Sequence, residues 1–298
     1  MDEKTDENTG LAERFEAHRS HLRGVAYRML GSLSDADDAV QEAWIRLSRA
    51  DTGAIDNLQA WLTTVVGRVC LNMLRSRATR GEVSLEAHVP DPIVSPAEGI
   101  DPEQEALVGD SVGLALLVVL DSLTPAERVA FVLHDIFAVP FDEIAPILDR
   151  TPEATRQLAS RARRRVQGAP VPDVNLDGQW AVVNAFLAAA RDGDFEALVA
   201  VLDPDIALRS DGGAARPELA SAVHGARAVA EQAMSFRRFG ETATRILVNG
   251  IPGGIAWLPD GSPFAILALT VRVGKIVAIH ILADPARLAT MDLSAVTG

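Results

Sequence analysis

The sequence predicts a multidomain chain: two all-α helical blocks, the second a helix-turn-helix, followed by an α+β domain. Three observations point there. Apolar residues recur at helical spacing through 11–81 and again through 107–167. The intervening residues 82–106, EVSLEAHVPDPIVSPAEGIDPEQEA, carry four prolines and many acids, which is a linker composition. Beyond a second proline-containing joint at 168–176, residues 177–298 change to two helices followed by short strands broken by Gly and Pro.

The 298 residues are 48% hydrophobic but only 5% aromatic, so cores must be built from Ala, Val and Leu. One cysteine, Cys70, excludes a disulfide framework. The acidic start MDEKTDENTG lacks a basic, then apolar, leader pattern, and the longest strongly apolar run, Leu114 to Leu120, is too short to span a bilayer. The expectation is a soluble cytoplasmic protein with no membrane partner.

The net charge of -13 speaks against nucleic acid only as a total. Residues 61–81 carry four Arg and no acid, and residues 150–170 carry six Arg and one Glu, while residues 82–149 are net -13. Two cationic stripes therefore sit in an acidic background. A phosphate backbone responds to local cation through counterion release, although such stripes are also ordinary solvated helix faces.

In the first block, Asp35-Ala36-Asp37-Asp38-Ala39-Val40-Gln41-Glu42-Ala43-Trp44 reads as a helix with Val40 and Trp44 inside and Asp38, Gln41 and Glu42 outside. The stretch from Trp61 to Arg77 has an inner stripe of Leu62, Val65, Val66 and Val69 and an outward face of Arg68, Asn72 and Arg75. His18 and His21, three apart, have no Cys or carboxylate cluster to complete a metal site, and no metal or cofactor is expected.

The sharpest signal lies at 121–167. Thr124-Pro125-Ala126-Glu127 reads as a capping box opening one helix, VPFDEIAPIL as a second, and Thr151-Pro152-Glu153 as the start of a third. On the third, Thr155, Leu158, Ala159, Ala162 and Val166 share one side. Gln157, Ser160 and Arg164, flanked by Arg156 and Arg161, point away. That spacing suits a recognition helix in a major groove, where Arg reads guanine and Gln adenine. Arg163 and Arg165 suit phosphates.

Together these segments resemble regions two and four of extracytoplasmic-function sigma factors of the sigma-70 family, over roughly residues 11–167. The resemblance implies that 11–81 is region 2 and 107–167 region 4. It implies that Asp35, Asp38, Gln41 and Glu42 dock on RNA polymerase core, whose clamp helices and flap the two regions would grip. Trp61, Arg68, Asn72, Arg75 and Arg77 would read and melt the promoter -10 element. Arg156, Gln157, Ser160, Arg161, Arg163 and Arg164 would read the -35 element. Arg68 stands where many members carry Asn, and Asn72 where they often carry Asp. The loop from Asp51 to Leu58 is a further candidate for gripping an unstacked base. The 25-residue linker extends to at most about 80–90 Å, enough for two promoter elements.

Residues 177–298 resemble the SnoaL-like cone fold, which several sigma subfamilies carry as a C-terminal fusion. The pieces concerned are the entry helices, Asp211-Gly212-Gly213 after a strand near Ile206–Ser210, and Asp284-Pro285-Ala286-Arg287-Leu288. Further strands are expected near 243–248, 254–258, 264–272 and 275–282, with a helix near Ala226–Phe239. The resemblance implies control in cis, which would make a separate anti-sigma factor unnecessary, and a small-molecule ligand held near Arg209, Asp211, Trp257 and His280. His280 shares its strand side with Ile276, Ala278 and Leu282 and reads first as a core residue. No acid–base pair is set by the sequence, and no catalytic residue is assigned. Two other functions stay open: a stand-alone DNA-binding regulator, and a sensor whose C-terminal domain turns over its ligand.

Overall fold

A computed structural model describes residues 2–80, 87–97, 99, 113–235 and 243–296. The rest of the linker expected at 82–106, residues 107–112 of the second block and the end of the helix expected at 226–239 lie outside the described residues. Two compact units emerge, one of residues 1–82 and 119–168, the other of residues 83–118 and 169–298.

The first unit begins with α1 (Asp2–Leu30), α2 (Leu33–Leu47) and α3 (Leu58–Arg80), packed pairwise. Ser32 caps α2 by accepting from the Asp35 N–H. Ala36, Ala39, Val40, Ala43 and Leu47 fill its buried side. The inner stripe expected on α3 is buried, and so are Gly67, Cys70, Leu71 and Leu74 on a second side. A Cβ at Gly67 would come within 3.3 Å of both Leu133 and Ile147, so glycine lets the two helical blocks approach closely here.

Helix α4 (Leu114–Asp121) passes from the second unit into the first at Val119, and the helix-turn-helix follows it in the chain. Thr124 caps α5 (Pro125–Phe131) through the expected box: its hydroxyl accepts from the Glu127 N–H, and the Glu127 carboxylate accepts from the Thr124 N–H. The helix then widens into a π turn over Val132–Ile136, which the periodicity does not announce. Next come α6 (Phe141–Leu148), a left-handed Asp149 at φ 54°, and α7 (Pro152–Val166) capped by Thr151. Thr155, Ala159 and Ala162 are the buried side of α7, as the helical wheel requires.

The second unit is α+β, as the sequence predicts. Its helices are α8 (Leu176–Asp192), α9 (Phe195–Val201), α10 (Ala226–Ser235) and α11 (Pro285–Leu288). Its strands are β1 (Val94–Pro96), β2 (Leu202–Asp211), β3 (Ser221–His224), β4 (Thr244–Val248), β5 (Ile251–Trp257), β6 (Pro263–Arg272) and β7 (Lys275–Leu282). They form one sheet in the order β1-β4-β5-β6-β7-β2-β3. The meander β4–β7 follows the sequence expectation, and β2 joins it parallel to β7. Two strands carry no alternation strong enough to be read beforehand: β3 at one edge and β1, three linker residues, at the other. Trp180, Val183, Phe186, Leu198, Leu208 and Ile279 lie in the core between helices and sheet.

Candidate nucleic-acid interface and linker-binding site

Helix α3 exposes Arg68, Asn72 and Arg75 along one side, as its period requires. Trp61 is half-buried at its first turn. Arg68 also reaches the carbonyl of Pro146 at 3.4 Å. Arg77 is placed differently: its guanidinium pairs with the Asp35 carboxylate and donates to the Leu30 carbonyl at 2.9 Å. It thus binds the end of α3 to the α1–α2 junction. Of the four acidic or polar residues expected on the α2 surface, Asp38 and Gln41 are exposed, Glu42 pairs with Arg46 at 2.8 Å, and Asp35 is held by Arg77.

On α7, Arg156, Gln157, Arg161 and Arg164 are exposed and Ser160 is half-buried, so the outward face carries donors at the expected positions. The five arginines of α7 divide by role. Glu127, almost fully buried, accepts from Arg161 at 3.2 Å and Arg165 at 3.0 Å. Burial raises the Glu127 carboxyl, but the Thr124 hydroxyl and N–H and the two arginines outweigh it and hold its pKa below the usual value. Arg163 pairs with Asp135, and Arg156 lies 5.2 Å over the Phe141 ring. These contacts fix the orientation of a basic helix on its supporting helices, leaving Gln157 and Arg164 at the centre of the outward face.

The second unit holds linker residues 88–96. Asp211, at the end of β2, accepts from the Val89 N–H at 3.2 Å and lies 3.2 Å from His88. Arg287 in α11 donates to Asp211 at 2.9 Å, to the Val89 carbonyl at 2.7 Å, and to Asp91. Asn249 grips Ile93 twice, donating its N–H to the Ile93 carbonyl at 2.8 Å and accepting the Ile93 N–H at 3.1 Å. Pro96, Ser95 and Val94 then pair with Ile246, Leu247 and Val248. Burial raises the Asp211 carboxyl. Hydrogen bonds from His88, Val89 and Gly213 and the charge of Arg287 overcome that and bring its pKa down to about 2. Gly213, at φ 61°, lies so near Asp284 that a Cβ would overlap its carboxyl group.

A cavity of about 100 Å³ opens on the helix side of the same sheet, walled by Phe186, Leu208, Ser210, Leu219, Gln232 and Phe264 among others. Arg209, Asp211, Trp257 and His280 do not line it. Strand alternation is the reason for three of them: Arg209, Asp211 and His280 point to the face opposite Leu208, Ser210, Ile279 and Ile281. Asp211 instead holds the linker, and the indole N–H of Trp257 donates to Thr244 at 3.0 Å. His280 is buried, its Nδ1 has no hydrogen-bond partner among the described residues, and burial together with Arg209 lowers its pKa to about 4. Arg287, Asn249 and Asp91, which carry the linker contacts, escaped the sequence reading. Arg287 sits inside the Asp284–Leu288 motif, which was the available signal. Among the described residues no three metal-ligating side chains cluster, and no helix is long and apolar enough to cross a membrane.

Comparison with known proteins agrees with this layout. Sigma-70 region 2 matches residues 14–80 and Sigma-70 region 4 matches residues 113–166. The chain is 40% identical over 287 residues to the ECF RNA polymerase sigma factor SigJ of Mycobacterium tuberculosis, covering 91% of each chain. It is 37% identical over 285 residues to the probable ECF RNA polymerase sigma factor SigI of the same species, covering 93% of this chain and 94% of the relative. The crystal structure of Mycobacterium tuberculosis SigJ superposes with a TM-score of 0.77 at 38% identity, covering 95% of this chain and 99% of that one. With both sigma-70 regions present and likeness running nearly end to end, the chain belongs to the extracytoplasmic-function sigma factors of the sigma-70 family, which bind RNA polymerase and direct promoter-specific initiation.

Proposed function

We propose that this sigma factor is controlled in cis, by the C-terminal domain's hold on the linker between regions 2 and 4. The observation that carries the reading is the capture of linker residues 88–96 by Asp211, Arg287, Asn249 and β4. A linker fixed along one domain loses the reach that separate -10 and -35 elements demand, and with this device built into the chain a separate anti-sigma factor is unnecessary. Residues 11–81 and 107–167 serve as regions 2 and 4, 82–106 as the controlled linker and 177–298 as the regulatory domain. Asp38, Gln41 and Glu42 form the surface for core polymerase, whose clamp helices and flap are the docking points. Trp61, Arg68, Asn72 and Arg75 act on the -10 element, and Arg156, Gln157, Ser160, Arg161 and Arg164 on the -35 element. Asp35 and Arg77 support that surface through their ion pair. The protein performs no covalent chemistry and works in the cytoplasm.

Run-off transcription with core polymerase tests this. Arg287→Ala in the full chain raises output several-fold while co-purification with core is unchanged. Equal output from Arg287→Ala and wild type, at equal core occupancy, refutes control through the linker.

A further inference from the structure

The wall of the cavity in the second unit is chemically uniform. Among the described residues, seventeen line it, and of these only Ser210 and Gln232 carry polar side-chain atoms; none is ionisable. The Gln232 amide is already turned to Ser221, donating at 2.9 Å. A charged guest would lose its hydration there without a counter-charge. A neutral apolar one with a single hydroxyl could meet Ser210. At about 100 Å³ the cavity is smaller than the roughly 150 Å³ apolar cavity known to admit benzene. A single-ring guest therefore has to displace part of the wall.

That wall is continuous with the residues that hold the linker. Ser210 directly precedes Asp211, and Ala283, also on the wall, directly precedes Asp284. Leu219 closes the cavity from the loop that begins at Gly212. Arg216 in this loop donates to the carbonyls of Phe264 and Ala283, each at 3.0 Å, and lies 4.9 Å over the Phe264 ring. The loop has no slack: a Cβ on Gly212 would overlap the Arg216 carbonyl, and one on Gly213 the Asp284 carboxyl. Close-packed groups of this kind shift together rather than deform singly.

We propose that this cavity binds a small, uncharged, mainly apolar molecule bearing one hydroxyl-type group, and that filling it displaces the Gly212–Leu219 loop and loosens the grip of Asp211 and Arg287 on Val89. The biological meaning rests on the reading that linker capture governs activity; the binding and the coupling do not. The site is a sensor without acid–base machinery, which sets it apart from an enzyme pocket.

The experiment titrates the full chain with phenol, and with benzoate as its charged counterpart, by ligand-observed NMR, and follows amide hydrogen exchange at Val89. Phenol binds at least tenfold more tightly than benzoate. Saturating phenol accelerates Val89 exchange at least tenfold while amides of α2 keep their protection. Ala233→Leu, which fills the cavity, abolishes both effects. Ser210→Ala, which removes one hydroxyl, weakens phenol several-fold and serves if the filled variant does not fold. Failure of phenol to bind, equal binding of benzoate, or unchanged Val89 exchange at saturation overturns the proposal. Phenol that frees Val89 without altering run-off transcription upholds it and overturns linker control instead.

Discussion

Val273 carries backbone strain that its side chain does nothing to repay. It sits at φ 52° beside Gly274 at φ 70°, in the two-residue turn joining Arg272 to Lys275, and is 86% exposed. A left-handed β-branched residue costs on the order of 1–3 kcal/mol, and Asn is the residue such turns favour. Val273→Asn therefore stabilises the protein by about 1 kcal/mol, measured by urea denaturation. Asp173 holds the same turn by accepting from the Val273 and Gly274 N–H groups at 3.0 and 3.3 Å, so Asp173→Ala works in the opposite direction. His280 gives a pH signature. Its pKa of about 4 lies below the ordinary 6.5, so the unfolded chain binds the extra proton first as pH falls. The stability that keeping His280 neutral preserves is present above pH 6.5 and is lost between 6.5 and 4. His280→Met flattens that part of the stability–pH profile; an unchanged slope there counts against the assignment.

Helix α7 shows how a row of arginines divides its work. Wheel geometry from the sequence places Gln157, Ser160 and Arg164 outward, and the structure agrees, because one apolar stripe of Thr155, Ala159 and Ala162 admits only one orientation. The sequence does not reveal that Arg161 and Arg165 converge on Glu127, since that carboxylate belongs to another helix 34 and 38 residues away. Arg164→Ala accordingly weakens promoter binding by about 1–3 kcal/mol at unchanged fold stability. Glu127→Ala removes the capping partner of α5 and both arginine anchors, and lowers stability by about 1–2 kcal/mol in thermal melts. On α3 the same division separates exposed Asn72 and Arg75 from Arg77, which is committed to Asp35 and Leu30. Arg77→Ala lowers the melting temperature, whereas Arg75→Ala leaves it unchanged.

The molecule as a whole separates a part governed by local rules from a part governed by closure of the chain on itself. The Asp211 cluster predicts acid behaviour: with its pKa at about 2, below the ordinary carboxylate value, the linker contact is intact above about pH 4 and weakens as pH falls toward 2. Proteolysis within 87–97 across that range measures it. The sequence alone determined most helices, the caps at Thr124 and Thr151, the orientation of α3 and α7 and the β4–β7 meander, because each rests on periodicities and cap residues within a few positions; the family followed from the resemblance of its motifs. Tertiary structure decided what no local pattern encodes. A three-residue stretch of linker becomes a sheet edge only because β4 offers an unpaired row of backbone groups. Asp211 and Arg287 meet across 76 residues, and the cavity belongs to Ser210 and Phe264 rather than Arg209 and His280 because strand pairing fixes which face is inside.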